Sequence, residues 1–299
     1  MESIILVLII TQIIVESLPI SSSGHVALAG LLANKFWGIP NAVLPDFLDH
    51  LLHGTALAAI LVVFFKDWFS PIKKMLQACT QFLFKSKPLS FSQKKLFAIF
   101  GKIVGLVIVA DLITSIFYFV IKICLHDFFG NLGPNFLLFG FIITMLLLFS
   151  LRLIRNNSTS TAPHVGCYEP FDLKKAVILG AVQGCALLPG ISRFASTYVA
   201  GCWLNISPRR AFQISFLIHL PLIIAAFLFL GIKDIFKKPE LFQSLNAGFG
   251  THGFFLILSA TIIAILALNF CYKLAVKNKL WWLGFYMLIP IIILIKACL

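Results

Sequence analysis

Apolar residues fall along this chain in long runs separated by short polar breaks. They form neither the narrow stripe of a surface helix nor the alternation of a half-buried strand. A helix crossing about 30 Å of hydrocarbon needs about 20 such residues. Six runs are long enough: about 46–66, 96–121, 134–155, 211–232, 251–273 and 280–298. Two further apolar stretches are broken. One runs from Ile4 to Val15, turns at Leu18–His25 and resumes to about Phe36; the other runs from about Lys175 to Leu188, turns at Pro189–Arg193 and resumes to about Leu204. Their arms are too short to span a bilayer. A polar turn between short apolar arms predicts a re-entrant hairpin, tolerated at membrane depth only where protein or a watery cavity surrounds it.

The order is hairpin plus three spans, twice. Three is odd, so the second half inserts upside down relative to the first. The expected architecture is an all-α polytopic membrane protein, with six transmembrane helices and two re-entrant hairpins in an inverted-topology repeat. Repeat 1 covers 1–155, a polar linker 156–173 and repeat 2 174–299, all in one membrane domain. Gln12 before Leu18-Pro19 and a Ser cluster is echoed by Gln183 before Leu188-Pro189 and Ser192, with spacing that differs by one residue.

Composition sharpens this picture. The 299 residues are 60% apolar and 12% charged, with mean hydropathy +1.00. Soluble domains run at about 45–50% and about 25%. A soluble enzyme and a disordered chain are excluded. The net charge of +13 does not indicate nucleic acid, because Lys and Arg sit in short loops between apolar runs. Sixteen of them, from the 66–95 loop, the 152–175 linker, Arg209-Arg210 and 273–279, fall on one side; Lys35, Lys122, Lys233, Lys237, Lys238 and Lys296 fall on the other. The richer side is expected to be cytoplasmic, so the first hairpin dips in from outside. Seven scattered Cys show no metal or disulfide spacing. Glu2 in place of a basic start argues against a removable signal peptide.

Gln12 and Glu16 share a helix face. A carboxylate inside an apolar arm costs roughly 2.5–3.5 kcal/mol on insertion scales, so Glu16 needs a partner, a cavity or a proton. Ser21-Ser22-Ser23-Gly24-His25 opens the next arm. A helix start offers free N–H groups and a positive dipole end, suited to phosphate or carboxylate, although capping alone also explains the serines. His25 adds an acid–base group. In the second hairpin, Arg193 beside Gly190, Ser192, Ser196 and Thr197 offers a bidentate phosphate fork. Asp49 and His53 either pair internally or line the same cavity. Lys102, Asp111 and His219 with Pro221 read as packing or pore-facing residues.

These residues resemble a known family. Gln12-x-x-x-Glu16-x-Leu18-Pro19-Ile20-Ser21-Ser22-Ser23-Gly24-His25 resembles the first signature of the undecaprenyl-diphosphatase (BacA-type, bacitracin-resistance) family. Pro189-Gly190-Ile191-Ser192-Arg193 with Thr197 resembles its second. His53-Gly54-Thr55, Gln183 and Ser215-Phe216-Leu217 to Pro221 fall where the family has similar residues. The resemblance implies a bacterial plasma-membrane enzyme with its site open to the outer side. Its substrate would be undecaprenyl diphosphate, the C55 lipid carrier of peptidoglycan synthesis, and its cofactor a divalent cation, magnesium or calcium. A homodimer is compatible with this. Three departures stand out: Gln12 where an acid is frequent, Phe194-Ala195 where Ser-Gly is usual, and Tyr286-Met287 where a Tyr-Arg pair is frequent.

The expected chemistry is metal-assisted phosphoanhydride hydrolysis. Arg193 and the N–H groups at Ser22–Gly24 hold the diphosphate, Glu16 binds the cation or activates the nucleophile, and His25 moves the proton. Ser22, then Ser21, is the candidate nucleophile, with water the alternative. Gln12, Ser23, Gly24, His53, Gly190, Ser192 and Thr197 are expected substrate contacts. The rival reading is a transporter or flippase for the carrier monophosphate, since broken helices in an inverted repeat are also transporter architecture.

Overall fold

The computed structural model describes residues 2–39, 43–85, 88–124, 134–157, 170–233 and 239–298. The central part of the expected linker, 158–169, and residues 234–238 lie outside them. The first hairpin is α1 (Glu2–Glu16) and α2 (Ser22–Trp37). Then come α3 (Asp46–Val63), α4 (Phe65–Lys85), α5 (Phe91–Cys124) and α6 (Pro134–Asn157). The second hairpin is α7 (Leu173–Cys185) and α8 (Arg193–Trp203). It is followed by α9 (Pro208–Ala225), a π-helical turn (Ala226–Ile232) and α10 (Pro239–Val276). A 3-10 turn (Leu280–Trp282), the short α11 (Leu283–Tyr286) and α12 (Leu288–Cys298) complete the chain.

Six helical segments among the described residues are long and apolar enough to cross a membrane: Asp46–Val63, Phe91–Ile121, Pro134–Ile154, Pro208–Gly231, Phe254–Val276 and Leu280–Ala297. These are the six expected spans. The hairpin arms are shorter. The 15 residues of α1 and the 13 of α7 reach roughly 22 and 20 Å at 1.5 Å per residue, below the hydrocarbon thickness.

Two expectations are corrected. The stretch from 66, expected as a lysine-rich loop, is largely the helix α4. Its apolar Phe65, Phe69, Ile72 and Leu76 follow a helical period and stay exposed. Second, the backbone of α10 is already helical from Pro239, twelve residues before the expected start.

Packing is reciprocal between the halves. The first arm of each hairpin packs on the second span of the other half, α1 on α10 and α7 on α5. The second arm packs on the third span of the other half, α2 on α12 and α8 on α6. This exchange is compatible with an inverted repeat. Two contacts agree with the expected sides: Lys35 Nζ donates to the carbonyls of Lys296 and Ala297, and Arg209 pairs with Asp67 at 3.1 Å.

Among the described residues, three apolar clusters hold the bundle. The largest gathers Phe64, Phe194, Tyr198, Phe212 and Phe216 where α3, α8 and α9 meet. A second joins Val15, Leu28, Phe141, Ala195 and Met287 around the hairpin turns. The third packs Ile9 and Ile13 of α1 against Leu48, Leu52, Ala260 and Ala264. Cys79, Cys185, Cys202 and Cys271 are free thiols.

Candidate active site

The two hairpin turns touch, and glycine makes the contact possible. A Cβ on Gly24 would lie 3.0 Å from the Gly190 Cα and 2.6 Å from Phe141 Cε1. Gly190 has φ +83°, and a Cβ there would meet the Leu137 carbonyl at 2.7 Å. Thr144 of α6 fixes the second turn. Its hydroxyl donates to the Gly190 carbonyl and accepts from the Ser192 N–H, both at 3.0 Å.

Each turn starts a helix with a serine cap. Ser21 Oγ accepts from the Gly24 N–H at 3.3 Å, and Ser192 Oγ from the Ala195 N–H at 3.1 Å. The N–H groups of Ser22 and Ser23, and of Arg193 and Phe194, therefore stand at helix starts without intrahelical partners. Two positive dipole ends converge. Ser21 has φ 66°, a costly conformation for a residue with a Cβ. His25 pins it: the Ser21 carbonyl accepts from the His25 Nδ1–H at 2.7 Å and from its backbone N–H at 3.2 Å.

Glu16 ends α1, where the helix dipole opposes a carboxylate. Its Oε1 accepts from the Nδ1–H of His53 on α3. Its Oε2 is buried without a partner. Arg193 opens α8 within electrostatic reach of Glu16 and Asp49. His53 is thus paired with Glu16, while Asp49, one turn earlier, faces the outer cavity.

Two cavities meet at this point. A small inner chamber of about 40 Å³ is lined by Glu16, Ser17, Ser21, Ser22, Ser23, Ser192, Arg193 and His219, among others. A larger outer cavity of about 590 Å³ is lined by Gln12, Ser22, Ser23, Asp49, His53 and Arg193, by a face of α2 from Val26 to Asn34, and by the starts of α3 and α6. Ser22, Ser23 and Arg193 belong to both and form the wall between them.

The structure sorts the expected site residues. Glu16, Ser22, Ser23, Arg193, Gln12 and His53 come together around that wall. Ser21 and Ser192 line the inner chamber, but their hydroxyls serve as caps. Gly24 and Gly190 set the close approach and line neither cavity. Two expected residues lie apart from the cavities. His25 packs edge-on to Phe141 and stacks on Tyr286, whose hydroxyl donates to its Nε2 at 3.3 Å; it lines neither cavity. Thr197 donates its hydroxyl to the Arg193 carbonyl at 2.9 Å, because a buried helical threonine bonds back one turn. Gln183, 1% exposed, donates to the Ile218 carbonyl and the Thr114 hydroxyl, both at 3.4 Å, tying α7 to its neighbours. Phe194, at the unusual Phe194-Ala195, fills the core against Phe216 at 4.3 Å between ring centroids, so the hydroxyl usual at that place is exchanged for packing. Sequence reasoning passed over Ser17 and Thr144 and read His219 as a packing or pore-facing residue.

No group of three His, Cys, Asp or Glu able to hold a metal occurs among the described residues. The orphaned Oε2 of Glu16 fits a cation of another kind. Magnesium in particular keeps most of its shell as water and phosphate oxygens and takes one or two carboxylates.

Fold and site together define an integral-membrane protein in which two helix starts and an arginine converge on a buried carboxylate. The model of the family described as Bacitracin resistance protein BacA matches residues 5–293, and the chain belongs to that family. Among similar proteins, one from Treponema denticola is 31% identical over 281 residues, covering 94% of this chain and 91% of its own. One from Borrelia hermsii is 29% identical, covering 97% of both. One from Methanosphaera stadtmanae is 32% identical over 80% of this chain and 79% of its own. Each bears the name undecaprenyl-diphosphatase.

Proposed function

We propose that this chain is an integral-membrane undecaprenyl-diphosphatase. It hydrolyses the C55 prenyl diphosphate to the monophosphate and orthophosphate, which recycles the carrier for peptidoglycan synthesis and accompanies bacitracin resistance. The observation that carries this reading is the wall between the cavities. There Glu16 of one hairpin, Arg193 of the other and Ser22 line one chamber, with Arg193 within electrostatic reach of Glu16. A carrier needs only to bind; a carboxylate, an arginine and an uncapped serine at one point are the parts of phosphoryl transfer.

The terminal phosphate sits at the start of α2, held by the N–H groups of Ser22 and Ser23 and by the Arg193 fork. Ser22 is the nucleophile, because the Ser21 hydroxyl is committed to capping. Ser22 Oγ attacks the terminal phosphorus, the bridging P–O bond breaks, and the prenyl monophosphate leaves through the outer cavity towards lipid. The Glu16–His53 pair takes the hydroxyl proton. Gln12 orients substrate oxygens, since an amide carries no proton in this range. His25 acts by holding Ser21 and thereby the α2 start. A magnesium or calcium ion held by Glu16 and phosphate oxygens would neutralise the diphosphate charge. The halves form an inverted repeat in the bacterial plasma membrane, with the outer cavity open to the outer side.

The test is orthophosphate release from a prenyl diphosphate by purified protein in detergent, with and without magnesium or calcium, beside Glu16→Gln. Cation-dependent release that the variant loses is expected. No release under any cation from well-folded protein overturns the reading.

A further inference from the structure

The first step of the reaction does not use Asp49. Helices α1 and α3 pack on one another, and Glu16 of one is joined to His53 of the other. Gln12 lies one helical turn before Glu16, and Asp49 one turn before His53. Gln12 and Asp49 therefore form the next rung between the two helices, and both line the outer cavity. Gln12 is only 4% exposed. Among the described residues neither its amide nor the Asp49 carboxylate has a hydrogen-bond partner. Leaving a buried amide unpaired costs about 1–3 kcal/mol, a cost that water in the cavity removes. Ser22 lines the same cavity from α2, and Asp49 is within electrostatic reach of Arg193, His53 and Glu16. Asp46, the other carboxylate on this wall, lies about one turn farther out and is exposed.

We infer that the Gln12–Asp49 rung holds the water that resolves the phosphoserine formed at Ser22, and that Asp49 is its base. This rests on the phosphatase reading above. Displacement at phosphorus runs in line, so the water arrives opposite Ser22 Oγ, from the side by which the prenyl monophosphate left. That side is the outer cavity, which the rung lines. The Gln12 carbonyl and the Asp49 carboxylate each accept one hydrogen of the water, which turns a lone pair towards phosphorus. The water oxygen bonds to phosphorus and the P–Oγ bond of Ser22 breaks. One water proton passes to Asp49 and the other stays on the departing orthophosphate. Ser22 Oγ recovers its proton from the Glu16–His53 pair, which took it in the first step. Asp49 then gives its proton to water in the cavity. Two neighbouring rungs thus divide the two steps between them.

The experiment follows both products of a prenyl diphosphate after rapid quench. It compares Asp49→Asn, Gln12→Ala and the double variant Gln12→Glu with Asp49→Asn against the parent protein. In Asp49→Asn, prenyl monophosphate is released in a burst of about one per enzyme. Phosphoserine accumulates at Ser22, detected by mass spectrometry, and steady orthophosphate release falls about 100-fold, in the range of a lost acid–base group. The double variant moves the carboxylate to the other side of the rung, so phosphoserine falls and part of the steady rate returns. A purely structural Asp49 predicts no such recovery, and its absence overturns the rung as the holder of the water. Gln12→Ala accumulates less phosphoserine than Asp49→Asn and decides the matter if Asp49→Asn does not purify as a folded protein. Orthophosphate release at the parent rate in Asp49→Asn and Gln12→Ala overturns the inference, as does loss of both products without phosphoenzyme. A parent protein that releases no phosphate at all sinks the phosphatase reading itself, which separates the two failures.

Discussion

Glu16 and His53 stand 37 positions apart in the chain, and one hydrogen bond joins the end of α1 to the middle of α3. The pair makes a buried carboxylate tolerable at the wrong end of a helix dipole. Removing the histidine takes the donor from Glu16 Oε1 while Oε2 already lacks one, and leaving a buried acceptor unpaired costs about 1–3 kcal/mol. His53→Ala should therefore lower the melting temperature and reduce kcat on the order of 100-fold. His53→Gln retains an N–H donor and should recover most of the stability and little of the rate. Equal kcat in His53→Gln and the parent would remove His53 from proton transfer and leave it a structural partner.

The contact of the two hairpins predicts a steric rescue. Gly24→Ala places a methyl 2.6 Å from Phe141 Cε1 and 3.0 Å from the Gly190 Cα. Overpacking of this kind costs about 1–3 kcal/mol, and here it also pushes the α2 start away from Arg193. Phosphate release should fall sharply. Shortening the ring in Gly24→Ala with Phe141→Leu should restore part of the stability, seen as a coupling in a double-mutant cycle. Gly190→Ala should find no such rescue, because its methyl meets the Leu137 carbonyl at a positive φ. A Phe141→Leu background that rescues neither variant would argue against the ring as the obstacle.

Much of this was legible because apolar run length is a strong signal. The six spans and both broken stretches follow from counting against bilayer thickness. The repeat was fainter, since Leu18-Pro19 and Leu188-Pro189 are out of step by one. The serine caps bring the two turns into step. Gln12 lies nine residues before its cap Ser21, and Gln183 nine before Ser192. In that register Ser22 corresponds to Arg193, so one half brings the hydroxyl and the other the guanidinium. Helix α4 escaped because its apolar stripe covers one face and its lysines break every spanning window. His25 was harder to place. The cavity face of α2 runs through Ser22, Ser23, Val26, Ala27, Gly30, Leu31 and Asn34, His25 falls off that face by helical spacing, and only the fold shows it packed against Phe141 and Tyr286.

That orientation gives His25 a test of its own. A proton carrier cannot be replaced by an amide, whereas a donor that pins the Ser21 carbonyl can. His25→Asn should retain a measurable fraction of the parent kcat, with the shape of the pH profile unchanged, and His25→Ala should lose far more. Tyr286→Phe removes the hydrogen bond at His25 Nε2 and should cost about 1 kcal/mol of stability with a few-fold loss of rate. Equal inactivity of His25→Asn and His25→Ala, with folding intact, would return His25 to the proton path.

Arg193 is the counterpart of Ser22, and its geometry makes lysine a poor substitute. Arginine binds phosphate through two parallel N–H donors; lysine offers one compact charge. Arg193→Lys keeps the positive charge that Glu16 and Asp49 face, so the fold should survive with little change in melting temperature. The fork is lost at the wall, and kcat/KM should fall about 10–100-fold, as for a loss of about 1.4–2.7 kcal/mol in binding the transition state. Arg193→Ala leaves both carboxylates without their cation and should lose stability as well as activity.

Helix α4 predicts a membrane surface contact. Phe65, Phe69, Ile72 and Leu76 lie exposed on one side; by helical spacing Lys66 and Lys73 flank that side and Lys74 lies opposite it. A helix with that division lies in the interface plane, its apolar face among acyl chains and its lysines at anionic headgroups. Spin labels placed singly at Leu76 and Lys74 in vesicle-reconstituted protein, with the native cysteines replaced, should differ in accessibility. The label at 76 should be relaxed by oxygen dissolved in lipid and shielded from a water-soluble nickel chelate, and the label at 74 should show the reverse. Raising the anionic lipid fraction should deepen that contrast, because each lysine near a negative surface gains about 1 kcal/mol. Equal exposure of both positions to the chelate would place α4 in water, and its apolar face would then require a protein partner.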